Sequence, residues 1–115
     1  MTDRRKPIRF HGSPLADLRS FPDSARQDVG FQLDQVQLGR DPDDWRPMKT
    51  VGKGVREVRV RESDGAFRVI YLARLADAIH VLQCFQKKSQ RTAREDIELA
   101  QQRYRRLMQE KDHER

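Results

Sequence analysis

One cysteine, one tryptophan and no long apolar run define what this chain cannot be. Cys84 is alone, so no internal disulfide can form and no cysteine pair exists to hold zinc. It sits in the apolar run Val81-Leu82-Gln83-Cys84-Phe85 and reads as a buried small hydrophobe. No stretch approaches the roughly 18 apolar residues that a membrane-spanning helix needs. The start, Met1-Thr2-Asp3-Arg4-Arg5-Lys6, leads into a strand rather than a signal-peptide core, so a cytoplasmic protein without a membrane partner is expected. The glycine-rich phosphate loop, the HExxH helix, Cys/His metal spacing and the nucleophile elbow are all missing. Metal, cofactor and covalent chemistry therefore have no support. His11, His80 and His113 are scattered along the chain and are not read as catalytic.

The 115 residues suit one domain spanning 1–115, with a core over about 7–108 and a charged tail at 109–115. Hydrophobic residues make up 36% and charged residues 37%, so the core is modest. The net charge of +6 is unevenly spread. Residues 40–91 hold 12 basic and 7 acidic side chains, against 6 and 5 in residues 1–39 and 6 and 6 in residues 92–115. An anionic partner is expected to bind the middle of the chain.

Lys6 to His11 alternates polar and apolar residues and predicts a first strand, at an edge because of Pro7. Pro14 to Leu18 predicts a short helix, and Pro22 the first position of a longer one ending near Gly39. In the latter, Ala25, Val29, Leu33 and Val36 recur at helical spacing, with Phe31 and Leu38 on an adjoining stripe. Residues 40–54 show no period and read as a loop, which Trp45 pins to the core or holds ready for a partner. Strands follow at Val55 to Arg61, Phe67 to Arg74 and Ile79 to Phe85, forming an antiparallel meander. Thr92-Ala93-Arg94-Glu95 has the capping-box pattern of a last helix. Its apolar face is Ile97, Ala100, Tyr104, Leu107 and Met108, and the tail from Glu110 is expected to fray. The fold class is α+β: helices on one face of a small, mainly antiparallel sheet, the other face partly open.

Strand alternation sends Val58 and Val60 one way and Glu57, Arg59 and Arg61 the other. Arg68 interrupts the apolar run Phe67 to Leu72, either to serve a function or as a partner for Glu57 across the sheet. Lys87-Lys88-Ser89-Gln90-Arg91 ends at a helix start, where backbone N–H groups favour anions. Cations converging on one sheet face repel one another unless an anion is expected there.

Three motifs carry a resemblance. Gly65-Ala66-Phe67-Arg68-Val69-Ile70-Tyr71, Phe85-Gln86-Lys87-Lys88-Ser89-Gln90-Arg91-Thr92 and Ile97-Glu98-Leu99-Ala100-Gln101-Gln102-Arg103, with the preceding strand Gly54 to Arg61, resemble the phage-derived, HigB-like branch of the RelE/HigB toxin superfamily. The resemblance implies a RelE-like fold and a messenger-RNA endonuclease that typically works on the ribosome. It also implies inhibition by a cognate helix-turn-helix antitoxin of the HigA kind. In that family the ribose 2′-hydroxyl attacks the adjacent phosphate without a metal. The matching positions are Arg68, Arg59, Lys87, Lys88 and Glu57: the arginines for the phosphate, a lysine for proton transfer, and Glu57 as base or as a residue that orients Arg59. Lys49, Lys53, Arg56, Arg61, Gln90 and Arg91 are the expected RNA contacts. Some relatives use a tyrosine or histidines near the C-terminal helix; here Tyr104 falls on its apolar stripe. Two other readings stay open: a ParE-like gyrase poison, and a non-catalytic RNA- or protein-binding phage remnant.

Overall fold

The structure is a computed structural model and describes residues 5–88 and 93–114. Its elements run β1 (Ile8–Phe10), α1 (Pro14–Arg19), α2 (Asp23–Gln37), β2 (Trp45–Pro47), β3 (Val55–Glu62), β4 (Gly65–Leu72), β5 (Ile79–Lys87) and α3 (Arg94–His113). They form a five-stranded sheet of order β1-β5-β4-β3-β2. β1 pairs in parallel with β5, and every other pairing is antiparallel. The β3–β4 hairpin turns at Gly65, whose φ of 133° is a conformation side chains resist.

The meander and the helix pattern agree with the sequence reading, but the placing of the helices differs. α1 and α2 cover one face, where Leu18, Ala25, Val29, Leu33 and Val36 pack on Val58, Val60, Phe67, Val69 and Tyr71. The Phe21 and Phe67 rings lie 4.8 Å apart in this core. α3 lies on the opposite face, where Ala100 and Leu107 pack on Ile70, Leu72, Leu82 and Phe85. The physical reason is visible in β4. It is apolar on both sides over Val69 to Leu72, and a strand of that kind needs cover on both faces. α3 spans only part of its face, and among the described residues no other element covers the remainder.

Smaller corrections have local causes. Pro22 is the N-cap of α2, with φ −53° and ψ 152°, rather than its first helical residue. Phe31 and Leu38 are exposed, and Gln32 is buried instead. The Gln32 amide donates to Asp43 Oδ2, and its oxygen accepts from the Asp43 backbone N–H, both at 2.9 Å. That exchange ties the segment 40–54 to α2 and helps order the edge strand β2 within it, although the segment's sequence shows no period. The α3 N-cap is Ala93 with no side-chain cap bond, and Thr92 lies outside the described residues.

Polar anchors hold α3 along its length. The β4–β5 pairing skips Leu82, and Arg103 Nη1 donates to the Leu82 carbonyl at 2.8 Å and to Gln83 Oε1 at 2.6 Å. Farther along, Lys111 Nζ donates to Asp77 Oδ2 at 2.7 Å, Asp77 Oδ1 meets His80 Nε2 at 3.1 Å, and His80 Nδ1 meets His11 Nε2 at 2.8 Å. The helix therefore continues through Glu110 to His113 instead of fraying.

The hydrogen bond from Lys111, with that of His80, holds the Asp77 carboxyl far below the usual carboxylate range. A depressed folded-state pKa contributes stability that is present above the unfolded value of about 3.9 and lost as the pH falls through the folded value. Asp77→Asn is therefore expected to lower the urea midpoint near neutrality, with the difference from wild type shrinking steadily below about pH 4. A difference that stays constant into acid would show that the anchor is not ionic.

Candidate functional site

The open part of the α3 side of the sheet is where the charges meet. Register places Arg46 opposite Glu57, Arg59 opposite Arg68, and Arg68 opposite Phe85, so these side chains share one face, which Lys87 joins two residues on. Glu57 is fully buried, and its Oε1 accepts from Arg46 Nε at 2.9 Å. Arg68 Nε and Arg59 Nε stand 3.7 and 3.8 Å from the same oxygen. One carboxylate oxygen thus organises three guanidinium groups.

The arrangement is not saturated. Among the described residues, Arg59 Nε and Arg68 Nε are buried with no hydrogen-bond partner. Arg68 is 7% exposed at its side chain and donates from Nη1 to the Phe67 carbonyl at 3.2 Å. Burial pulls its pKa down, Glu57 and Asp44 oppose this, and Arg59 and Arg46 add to it; an arginine stays charged regardless. Lys87 is also held below its ordinary value, first by burial and then by Arg68, Arg46 and Arg59, against Glu57. Four cations around Glu57 and Asp44 leave an excess of positive charge on a sheet face that water and a polyanion can reach.

Of the catalytic residues expected from sequence, Glu57, Arg59, Arg68 and Lys87 converge. Lys88 is exposed past the strand end and donates to Gln86 Oε1 at 3.2 Å. Among the expected RNA contacts, Arg61 shares the open face at the far end of β3, opposite Ala66. Arg56 does not: it alternates to the other face, pairs with Asp41 at 2.9 Å and stacks 3.9 Å over the Trp45 ring. Lys49 and Lys53 are exposed in the β2–β3 loop, whose Thr50 and Lys53 carbonyls are held by Gln101 and Arg74. Gln90 and Arg91 lie outside the described residues. Arg46 was missed because a three-residue strand between Asp44 and Met48 has no readable period; only Pro47, tolerated at a sheet edge, hinted at it.

Cys84 is buried, and burial pushes its thiol up to about 12, so it is inert. Among the described residues no helix is long and apolar enough to cross a membrane.

Likeness to known proteins places this geometry. The profile of the family described as "Phage derived protein Gp49-like (DUF891)" matches residues 16–105. No curated protein matches the sequence. Among solved structures, the E. coli toxin RelE, in the free state of a double mutant, superposes with a TM-score of 0.62 at 12% identity, covering 90% of this chain and 98% of that one. At that identity the likeness speaks for the fold. The chain therefore belongs to the phage-derived Gp49-like family, and its fold is that of the RelE toxin.

Proposed function

We propose that this chain is the toxin of a toxin–antitoxin pair and cleaves messenger RNA, on the ribosome, by metal-independent transfer to the ribose 2′-hydroxyl. The observation that carries this reading is the convergence of Arg46, Arg59, Arg68 and Lys87 on one open sheet face around the buried Glu57. The shared fold with a RelE toxin supports it. A helix-turn-helix antitoxin of the HigA kind would be the inhibitor, and the cytoplasm the compartment.

In the reaction the 2′-hydroxyl gives up its proton to a water molecule and its oxygen attacks the adjacent phosphorus, the bond to the 5′-oxygen breaks, and a cyclic phosphate and a free 5′-hydroxyl result. Charge builds on the phosphoryl oxygens. Arg68 and Arg59, rigidly seated beside Glu57, are in place to stabilise it. Glu57 is engaged by arginines, so its role is to orient them and not to take the proton. Lys87 is the candidate for donating a proton to the leaving oxygen, because burial and then the neighbouring cations make its ammonium a stronger acid than usual.

Induced expression with mapping of RNA 5′ ends tests the reading. Wild type is expected to produce new ends within translated messages, and Arg68→Gln to lower cleavage by about 10²–10³-fold while remaining folded. Growth arrest with intact messages would point to a gyrase poison, and no arrest to a non-catalytic module.

The proton-donor role predicts a pH dependence with a definite sign. Cleavage by purified protein should fall as the pH rises through a Lys87 pKa that lies below the ordinary 10.5. Lys87→Arg should slow cleavage and move that falling limb upward; an unchanged profile would remove Lys87 from the chemistry.

The orienting role of Glu57 is a stability statement. Glu57→Gln leaves Arg46, Arg59 and Arg68 facing one another without the carboxylate, and is expected to cost about 2 kcal/mol in urea unfolding, less than for a wholly buried broken pair because two partners are partly exposed. Equal or greater stability would contradict it.

A further inference from the structure

On the other side of the sheet, between the C-terminal end of α2 and the strands β3 and β4, lies a second concave site of about 320 Å³. Its lining includes the cations Lys6, Arg40, Arg56 and Arg74 and a single carboxylate, Asp41. Tyr71 contributes to it from β4, and register puts Tyr71 opposite Arg56, on the face away from Arg68. The two sites are therefore separated by the sheet itself.

The cations are held in place mostly by neutral groups. Lys6 Nζ donates to the Ala73 and Leu75 carbonyls, each at 2.7 Å. Arg40 donates to Gln35 Oε1 at 3.1 Å, and Arg74 Nε to the Lys53 carbonyl at 3.1 Å. Among the described residues Arg56 alone has a counter-charge here, Asp41 at 2.9 Å. Carbonyl and amide oxygens fix a cation's position without cancelling its charge, so the cavity keeps a strong preference for an anion.

The second observation is at the cavity wall. The Tyr71 side chain is fully buried; its oxygen faces the Arg56 guanidinium, which can only donate, and among the described residues the Tyr71 O–H has no acceptor. A buried phenol of this kind is costly unless something bonds to it, and such groups in native proteins ordinarily meet a ligand or an ordered water. Its charged neighbour is the Arg56 guanidinium, across the strand pair.

We infer that this cavity binds a small phosphate monoester, with Lys6, Arg40 and Arg56 taking the phosphate oxygens and the Tyr71 hydroxyl donating to the bound molecule. The volume favours an ester over the free ion. At about 30 Å³ per water, the space would hold a group several times the size of bare phosphate. Several cations with a single carboxylate favour a ligand carrying more than one negative charge.

The Trp45 ring under Arg56 is a built-in reporter, since an anion drawn to that guanidinium changes the indole's surroundings. The full-length protein is titrated with inorganic phosphate and, separately, with adenosine 5′-monophosphate at constant ionic strength set by chloride, following Trp45 emission and the thermal midpoint. Saturable binding of the nucleotide, tighter than phosphate and raising the midpoint, is expected in wild type and equally in Arg68→Gln, which alters only the opposite face. Arg40→Gln and Tyr71→Phe, each checked for native circular dichroism, should weaken it, the former by about tenfold as for a lost charge-assisted bond. Equal affinity for phosphate and nucleotide would overturn the ester. Loss of binding in Arg68→Gln, indifference to Arg40→Gln and Tyr71→Phe, or a response no greater than that to added chloride would overturn the site.

Discussion

A fully buried carboxylate beneath three arginines is the constraint on which the functional face depends. Glu57 sits at the middle of β3 with Arg46 on its β2 side and Arg68 on its β4 side. Without it, Arg59 and Arg68, directly opposite each other on adjacent strands, would have no carboxylate between them to offset their repulsion. A single carboxylate lets three short strand segments carry cations on one surface and still pair. It also leaves charge in excess, which is the property a phosphate-binding face needs.

Keeping that face open is a matter of how α3 is tied down. Its apolar contacts are few, with Ala100 and Leu107 fully buried and Ile97, Tyr104 and Met108 partly so. Arg103 is spent on the Leu82 carbonyl and Gln83, Gln83 donates to Asp96 at 2.8 Å, and Lys111 is locked to Asp77. These polar anchors place the helix over Ile70, Leu72, Leu82 and Phe85 and hold it beside the arginine cluster. The arginine of the last motif thus has a structural account: it satisfies a carbonyl that the strand irregularity frees.

The two faces of the sheet share a design at different scales. On one, a carboxylate gathers cations at the strand centre; on the other, cations around a cavity are seated by carbonyl and amide oxygens near a buried phenol. In both, among the described residues, a polar atom of β4 or its neighbour is buried without a well-formed hydrogen bond: the Nε atoms of Arg59 and Arg68, and the Tyr71 hydroxyl. Unmet polar groups of this kind are uncommon in protein interiors.

Much of the architecture was legible in the chain. Period-two alternation over Val55 to Arg61 separated Val58 and Val60 from Glu57, Arg59 and Arg61, and helical spacing picked out Ala25, Val29, Leu33 and Val36, all of which the structure buries. Local pattern suffices there because each element's period dictates which side chains share a face. What pattern could not decide was which way each face turns. Phe31 and Gln32 exchange places because Gln32 finds Asp43 across a loop, Arg56 alternates away from the arginine cluster, and Arg46 enters it from a strand too short to show a period. α3 crosses to the other face because β4 is apolar on both sides, a fact that acquires meaning only once helices compete for cover. The residue types and their alternation determined that a basic strand surface would exist; tertiary packing alone decided which cations meet on it, since that depends on contacts between segments far apart in the chain.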